Sequence, residues 1–317
     1  MGKGIALAFA YAGFDVDLID SEDRFREDFS TIENETRIEI KAELDFLQSI
    51  GIISNTQIES INSRIQLLPF ADASAALSNA DFVFEAVLEI PQVKQSVYKW
   101  LGEQTRAEAV VSSTTSTMSA NDLAAMLSAP QRFINAHWLN PAHLMPVVEV
   151  SPADLTATVV VKKMTSLLER IGKITVVCKA SPGFIISRIQ ALALNEAARI
   201  VEEGVATAED VDKAIKYGFG IRYATLGMLE FIDFGGGDIL YHGTRYLGDN
   251  LSEQRFNVPE IVQNNMENNR NGLRDGEGFY DWKNIDTNDF NRQKMTDFVR
   301  LLQHRQLMPA PESINEK

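Results

Sequence analysis

The sequence has few of the residues that build disulfides, metal sites and basic surfaces. It contains one cysteine, Cys178, which excludes an intrachain disulfide and is compatible with a reducing compartment. Its four histidines form no Cys/His cluster at metal-ligand spacing, so we expect no metal site. With 30 lysines and arginines against 44 acids, the formal net charge is −14, which argues against nucleic acid and anionic membrane surfaces as partners.

Long apolar runs are also lacking. None reaches the roughly 18 residues that would span a bilayer, and the first residues do not have the pattern of a signal peptide. We therefore expect a cytoplasmic protein with no membrane contact. The 317 residues, 45% of them hydrophobic, are enough to form two domains.

The first half of the chain alternates short β-type runs with amphipathic segments. This pattern predicts parallel βαβ units in a doubly wound α/β sheet that is covered by helices on both faces. After residue 180 strand signals become rare and helical patterns follow. We predict an α/β domain over 1–180 and an all-α domain over 181–317, with a loose polar tail from about Met308. The predicted strands are 15–19, 81–87, 109–112, 133–136, 147–150 and 174–177.

The amino-terminal segment has features of a dinucleotide-binding unit. Residues 2–10 read as a helix of small residues that could pack closely on a sheet, and a predicted strand then leads to Asp20. In a Rossmann-like fold, an acid about 20 residues past the glycine loop accepts hydrogen bonds from the adenosine ribose. Asp20 would also repel a 2′-phosphate, so we expect NAD rather than NADP, although an aspartate at this position could simply form a turn.

One part of this unit is not in the sequence. Gly2 would be the third glycine of the G-x-G-x-x-G fingerprint, so the first strand and the first two glycines would precede it. That strand normally lies at the centre of the sheet, and without it two strands would have unpaired edges beside an apolar slot. We expect the working protein to carry about a dozen more residues before Met1.

Three further segments combine residues that could carry chemistry. They are STTST at 113–117, HWLNPAHLMPVVEV at 137–150 and SPGFIISR at 181–188. Their order and spacing resemble the L-3-hydroxyacyl-CoA dehydrogenase family, most of all its short-chain 3-hydroxybutyryl-CoA dehydrogenases. The resemblance extends over nearly the whole chain. It implies an NAD-dependent oxidoreductase of fatty acid metabolism and β-oxidation, which forms a homodimer through its helical domain.

The resemblance assigns the catalytic pair to His137 and Glu149. Loss of hydride from a secondary alcohol requires a group that takes the hydroxyl proton, and an imidazole suits that task at neutral pH. Glu149 would accept a hydrogen bond from the other imidazole nitrogen and so fix its tautomer. Each residue also has a simpler interpretation, because His137 could cap a turn and Glu149 could be an exposed charge at a strand edge.

Four more site residues follow from the resemblance. Ser116 matches the serine that hydrogen-bonds the substrate oxygen, although it could be only a helix N-cap. Ser187 stands where the family usually has an asparagine that holds the substrate carbonyl; its hydroxyl is shorter but still a donor. Glu89 and Lys94 match residues that line the nicotinamide side, although Lys94 could equally be a solvated helix charge.

The substrate class stays open at this point. The segment 21–45 matches the helical insertion that contacts CoA in the family, but it carries nine acids and four bases, which would repel the phosphates of CoA unless Arg37 or Lys41 reaches them. We therefore keep a free or cationic 3-hydroxy acid such as carnitine as an alternative substrate. Trp138 could then offer its ring face, or simply pack in the core. A crystallin-like NAD-binding protein without turnover is the remaining alternative.

Overall fold

The computed structural model describes residues 1–308; residues 309–317, and with them nearly all of the predicted polar tail, lie outside the described residues. The chain separates into two compact units, the first covering Met1–Leu194 and the second beginning at Asn195. The domain boundary near residue 180 stays a prediction. In the described part of the chain, no helix has the length and apolar character needed to cross a membrane.

Short strands form the framework of the first unit. They are β1 (Val16–Ile19), β2 (Ile65–Leu68), β3 (Phe82–Glu85), β4 (Val110–Ser113), β5 (Phe133–Trp138), β6 (Val147–Pro152) and β7 (Ile174–Val177). Strands β3 to β7 form one sheet in chain order, in which β5 and β6 are antiparallel and all other neighbours are parallel. Strands β1 and β2 form a separate parallel pair. Of these, only β2 does not fall on a predicted strand.

Helices pack around the strands of the first unit and make up most of the second. Those that begin in the first unit are α1 (Gly2–Tyr11), α2 (Arg26–Ser49), α3 (Asn55–Asn62), α4 (Ala73–Asn79), α5 (Pro91–Gln104), α6 (Ala120–Ala124), α7 (Thr158–Arg170) and α8 (Ile186–Glu202). Those of the second are α9 (Ala208–Ala214), α10 (Ile221–Tyr223), α11 (Met228–Gly235), α12 (Gly237–Asn250), α13 (Glu260–Glu267) and α14 (Thr287–His304). The predicted Rossmann-like α/β unit followed by a helical unit is confirmed.

A cavity separates the two sheets of the first unit. Within residues 1–308, the edges of β1 and β3 that do not face β2 and β4 have no strand partner. Both strands line a cavity of about 590 Å³, together with residues of α1, α4 and α5, and apolar side chains such as Ile5, Phe9 and Phe84 face into it. Apolar side chains therefore line the space between the two sheets.

The buried strands bring the ends of several elements together. Every residue of β4 and β5 is buried, because helices cover both faces of the sheet. Small side chains at Ala6, Ala8 and Ala10 are buried in α1, which packs against β1. In parallel α/β sheets, the carboxyl ends of neighbouring strands form the edge where ligands bind. The carboxyl ends of β1, β3 and β4 therefore define the region in which to look for a site.

A buried aspartate organises the end of the second unit. Asp233, in α11, is 2% exposed and accepts hydrogen bonds from the backbone N–H groups of Phe279 and Tyr280, at 3.0 and 2.9 Å, and from Trp282 Nε1 at 2.8 Å. A Cβ at Gly278 would lie 2.3 Å from Asp233 Oδ1, so only glycine fits there. This carboxylate therefore fixes the turn that precedes α14.

Substituting Asp233 by alanine should leave three donors without an acceptor, one of them the buried Trp282 Nε1. We expect the free energy of unfolding in urea to fall by about 2–4 kcal/mol, and Asp233→Asn to lose less because its amide oxygen still accepts. The exposed Asp281, which accepts one backbone hydrogen bond, provides the control Asp281→Asn. A loss for Asp233→Ala no larger than for that control would contradict this role.

Candidate active site

The register of two strands places His137 directly opposite Glu149. Strands β5 and β6 are antiparallel, these two residues are paired across them, and His137 Nδ1 lies 2.7 Å from Glu149 Oε2. His137 is 4% exposed and Glu149 is fully buried. Because β6 lies between β5 and β7, the interpretation of Glu149 as an exposed edge charge is wrong. His137 belongs to β5 itself, so the interpretation as a turn cap is also wrong.

The second oxygen of Glu149 is held by the start of α8. Glu149 Oε1 accepts the backbone N–H groups of Ile185 and Ile186, each at 2.9 Å. Phe184 precedes them with a φ of 45°, an unusual left-handed conformation for a bulky residue. Its buried ring lies 5.8 Å from the His137 ring at an interplanar angle of 31°. Residues 184–186 therefore contact both His137 and Glu149. The sequence did not reveal these contacts.

The geometry leaves one imidazole nitrogen for chemistry. With Nδ1 bound to Glu149, a neutral His137 carries its proton on Nδ1 and presents Nε2 as the acceptor. The buried carboxylate stabilises the imidazolium that forms when Nε2 takes a proton. The pair can therefore act as a general base toward an alcohol, and as a general acid in the reverse direction.

Lys173 holds the loop that joins β5 to β6. Its ammonium group donates to the carbonyl oxygens of Ala142 at 2.8 Å and Met145 at 2.7 Å, and lies 5.5 Å from the centre of the Trp138 ring. Burial lowers the pKa of Lys173. Trp138 itself is 1% exposed and packs against Phe9 and Phe84. Its predicted alternative role, a ring face for a cationic substrate, is therefore wrong, and the core-packing interpretation is confirmed.

The two predicted serines lie near elements that hold the pair, since β4 neighbours β5 and α8 begins at the loop that binds Glu149. Ser116 is half-buried in the loop between β4 and α6, and Ser187 is half-buried as the second residue of α8, directly after Ile186. Neither hydroxyl has a hydrogen-bond partner within residues 1–308, so both are available to a ligand. Ser116 does not cap α6, because the cap residue is Ser119, and the N-cap interpretation of Ser116 is wrong.

The predicted cofactor residues Gly2 and Asp20 lie where α1 begins and β1 ends. Gly2 lies close to Ala86 and Leu18. The first turn of α1 has no acidic residue and no side-chain cap, so its free N–H groups suit a phosphate. Asp20 accepts a hydrogen bond from Arg24 Nε at 2.9 Å, and the sequence did not indicate this partner. These features fit a bound dinucleotide.

The other two predicted cofactor residues, Glu89 and Lys94, have very different exposures. The Glu89 side chain is 43% exposed, whereas that of Lys94 is 1% exposed and forms an ion pair with Glu85 at 2.8 Å. The interpretation of Lys94 as a solvated helix charge is wrong. Within the described residues, no cluster of His, Cys, Asp and Glu could hold a metal ion.

Family models match both parts of the chain. The model described as "3-hydroxyacyl-CoA dehydrogenase, NAD binding domain" matches residues 1–181, and the model described as "3-hydroxyacyl-CoA dehydrogenase, C-terminal domain" matches residues 183–282. His137, Glu149 and Ser116 therefore lie in the part that matches the NAD-binding domain, and Ser187 lies in the part that matches the C-terminal domain.

Individual proteins support the same relationship. A probable 3-hydroxybutyryl-CoA dehydrogenase of Deinococcus radiodurans is 31% identical over 283 residues, which is 88% of this chain and 96% of that protein. A 5-formyl-3-hydroxy-2-methylpyridine 4-carboxylate 5-dehydrogenase of Mesorhizobium japonicum is 33% identical over 66% of this chain and 68% of its own. The crystal structure of a 3-hydroxyacyl-CoA dehydrogenase from Archaeoglobus fulgidus superposes with a TM-score of 0.74 and 28% identity, and covers 97% of this chain and 96% of that one. Together with the matched domains and the buried imidazole–carboxylate pair, these similarities lead to one conclusion: the chain belongs to the 3-hydroxyacyl-CoA dehydrogenase family.

Proposed function

We propose that the protein oxidises the hydroxyl group of a short-chain L-3-hydroxyacyl-CoA, with 3-hydroxybutyryl-CoA as the best candidate, to the 3-ketoacyl-CoA with NAD. The observation that carries the proposal is the buried hydrogen bond of 2.7 Å between His137 and Glu149. A crystallin-like binding protein has no need of such a pair, which is costly to bury unless each polar group is satisfied. Both oxygens of Glu149 are satisfied here, by the imidazole and by two backbone N–H groups.

In the proposed reaction His137 Nε2 takes the hydroxyl proton while the C–H bond of the same carbon breaks. Bound NAD supplies the acceptor for the hydride. Glu149 holds the imidazole in the tautomer that presents Nε2, and a carboxylate there stabilises the imidazolium. Ser116 donates to the substrate oxygen as it becomes a carbonyl oxygen, and Ser187 provides a second donor from α8. Gly2, Asp20, Glu89 and Lys94 belong to the cofactor side of the site.

Replacing His137 by glutamine should remove the proton acceptor without changing the cofactor side. We expect kcat to fall by about 10²–10⁴-fold while NAD affinity stays nearly the same. Initial rates of NADH formation and a titration of bound NADH fluorescence measure the two quantities. His304→Gln, at the exposed histidine that ends α14 of the second unit, is the matched control. A kcat for His137→Gln equal to that of the control would end the assignment.

A second candidate substrate is a small 3-hydroxy acid without CoA. The observation that favours it is the ion pairing around α2, where Arg24 lies 2.9 Å from Asp20, Arg37 lies 2.8 Å from Glu33 and Lys41 lies 2.5 Å from Asp45. Cations that are held by neighbouring acids are poor donors for the phosphates of CoA. The dehydrogenase of Mesorhizobium japonicum described above is also named for a pyridine carboxylate without CoA.

Comparing three substrates separates these candidates. If the CoA part provides binding energy, kcat/KM for 3-hydroxybutyryl-CoA should exceed that for free 3-hydroxybutyrate and for carnitine by about 10²-fold or more. NADH formation measures all three under the same conditions. Equal values, or a higher value for a free acid, would contradict the CoA substrate and favour the second candidate.

We further propose that the protein is a cytoplasmic homodimer that acts in fatty acid β-oxidation. Apolar side chains on α12 support the dimer, since Ile239 is 65% exposed and Tyr246 is 68% exposed, with Val205 at 72% elsewhere in the second unit. Exposed apolar surface of this kind is typical of an interface between copies. The half-buried free thiol of Cys178 is compatible with a reducing compartment.

A charged substitution on the exposed apolar face of α12 should dissociate the proposed dimer. We expect light scattering after size-exclusion chromatography to give a dimer mass for the wild type and a monomer mass for Ile239→Glu. Ile52→Glu is the control, because Ile52 is 57% exposed in the first unit. A wild-type monomer, or an unchanged dimer in Ile239→Glu, would contradict an interface at α12.

A further inference from the structure

The carboxylate of Glu85 is the centre of a buried network at the ends of β3 and β4. Glu85 Oε2 accepts hydrogen bonds from Tyr98 OH at 2.6 Å and from Ser113 Oγ at 2.9 Å. Its other oxygen, Oε1, accepts Lys94 Nζ at 2.8 Å and the backbone N–H of Val87 at 2.8 Å. Tyr98 and Ser113 are fully buried, and Glu85 and Lys94 are 4% and 1% exposed. Every polar group of this cluster is therefore satisfied inside the protein.

The ammonium group of Lys94 links this network to a second carboxylate. Lys94 Nζ lies 3.9 Å from Glu89 Oε2, and the same oxygen accepts a hydrogen bond from Thr115 Oγ1 at 2.8 Å. The Glu89 side chain is 43% exposed, so it is the part of the network that a ligand can reach. A cation between two carboxylates fixes the distance between them, because each carboxylate repels the other when the cation is removed.

Both carboxylates hold the loop that carries Ser116. Ser113 Oγ, which donates to Glu85, accepts the backbone N–H of Thr115 at 3.3 Å. Thr115 Oγ1, which donates to Glu89, accepts the backbone N–H of Met118 at 3.1 Å. Ser116 lies between these two attachment points, so the position of its backbone depends on both.

We propose that Tyr98, Glu85 and Lys94 form a positioning network, which fixes the Ser116 loop and the Glu89 carboxylate relative to each other. Lys94 then acts on the site by holding Glu89, whose Oε2 lies 3.9 Å from Lys94 Nζ. Burial, together with the charge of Glu85, raises the pKa of Tyr98 well above its usual range, so the hydroxyl stays a donor. The proposal rests on the proposed function only in the role of Ser116.

Backbone amide exchange tests the network without any substrate. Tyr98→Phe removes one hydroxyl, which donates to Glu85 and not to the Met118 backbone, and we expect it to increase the exchange rate of the Met118 amide by about 5-fold or more. Ser112→Ala is the matched control, since its buried hydroxyl donates only to the carbonyl of Ser113 at 3.2 Å. An exchange rate at Met118 that is equal in the wild type, Tyr98→Phe and Ser112→Ala would overturn the proposal.

A double-mutant cycle tests the same coupling in turnover. We expect Thr115→Val and Tyr98→Phe each to lower kcat/KM by about 5–20-fold, and Thr115→Ser to restore it to within about 3-fold because the hydroxyl is kept. If one network carries both effects, the double variant should lose no more than about 3-fold beyond the larger single loss. Losses that multiply would overturn the proposal. A wild-type protein without dehydrogenase turnover would instead overturn the proposed function, while the amide exchange would still decide the network.

Discussion

The position of one imidazole depends on the register between two antiparallel strands. His137 and Glu149 meet because they are direct partners across β5 and β6, and their side chains lie on the same face of the sheet. A slip of one residue would turn Glu149 to the opposite face and leave a buried carboxylate without its partner. The register is supported from outside the two strands, by Lys173, which binds carbonyl oxygens of the loop between them, and by the backbone N–H groups of Ile185 and Ile186.

The site combines two buried acids that are satisfied in different ways. Glu149 is held by an imidazole and backbone N–H groups, which leaves the imidazole free to gain a proton. Glu85 is held by Lys94, Tyr98 and Ser113, so its charge is balanced and its hydrogen bonds are complete. Burying a charge is unfavourable unless such partners are present. We infer that Glu149 supports proton transfer by His137. Glu85 instead fixes the conformation of the loop that carries Ser116.

Much of this arrangement could be predicted from the sequence, and the rest depends on contacts that leave no signal in it. The alternation of β-type runs and helices predicted the α/β unit, and the family resemblance carried by the three motifs implied that His137 would meet Glu149. The strand β2 was missed because it contains four residues without a clear alternating pattern. The support of Glu149 from Ile185 and Ile186 was missed because backbone donors do not depend on the residue type.

For Lys94 and Trp138 too, the sequence did not determine which side chains are buried. A lysine on a helix gives no sign of a buried partner, and Glu85 lies in a run that reads only as a strand. The Trp138 ring was expected in the core or at a substrate, and it packs in the core beside Lys173 because β5 is buried along its whole length. Predicting the burial of individual side chains therefore requires the three-dimensional packing. The order of the helices and strands can be predicted without it.

Proton nuclear magnetic resonance of the unliganded protein tests the central claim most directly. A hydrogen bond between a buried imidazole N–H and a carboxylate shifts that proton strongly downfield and protects it from exchange with water. We expect one such resonance, which belongs to His137 Nδ1–H and is lost in Glu149→Ala, where the side-chain acceptor is removed. A wild-type spectrum without it, or an unchanged resonance in that variant, would contradict the pairing on which the proposed chemistry depends.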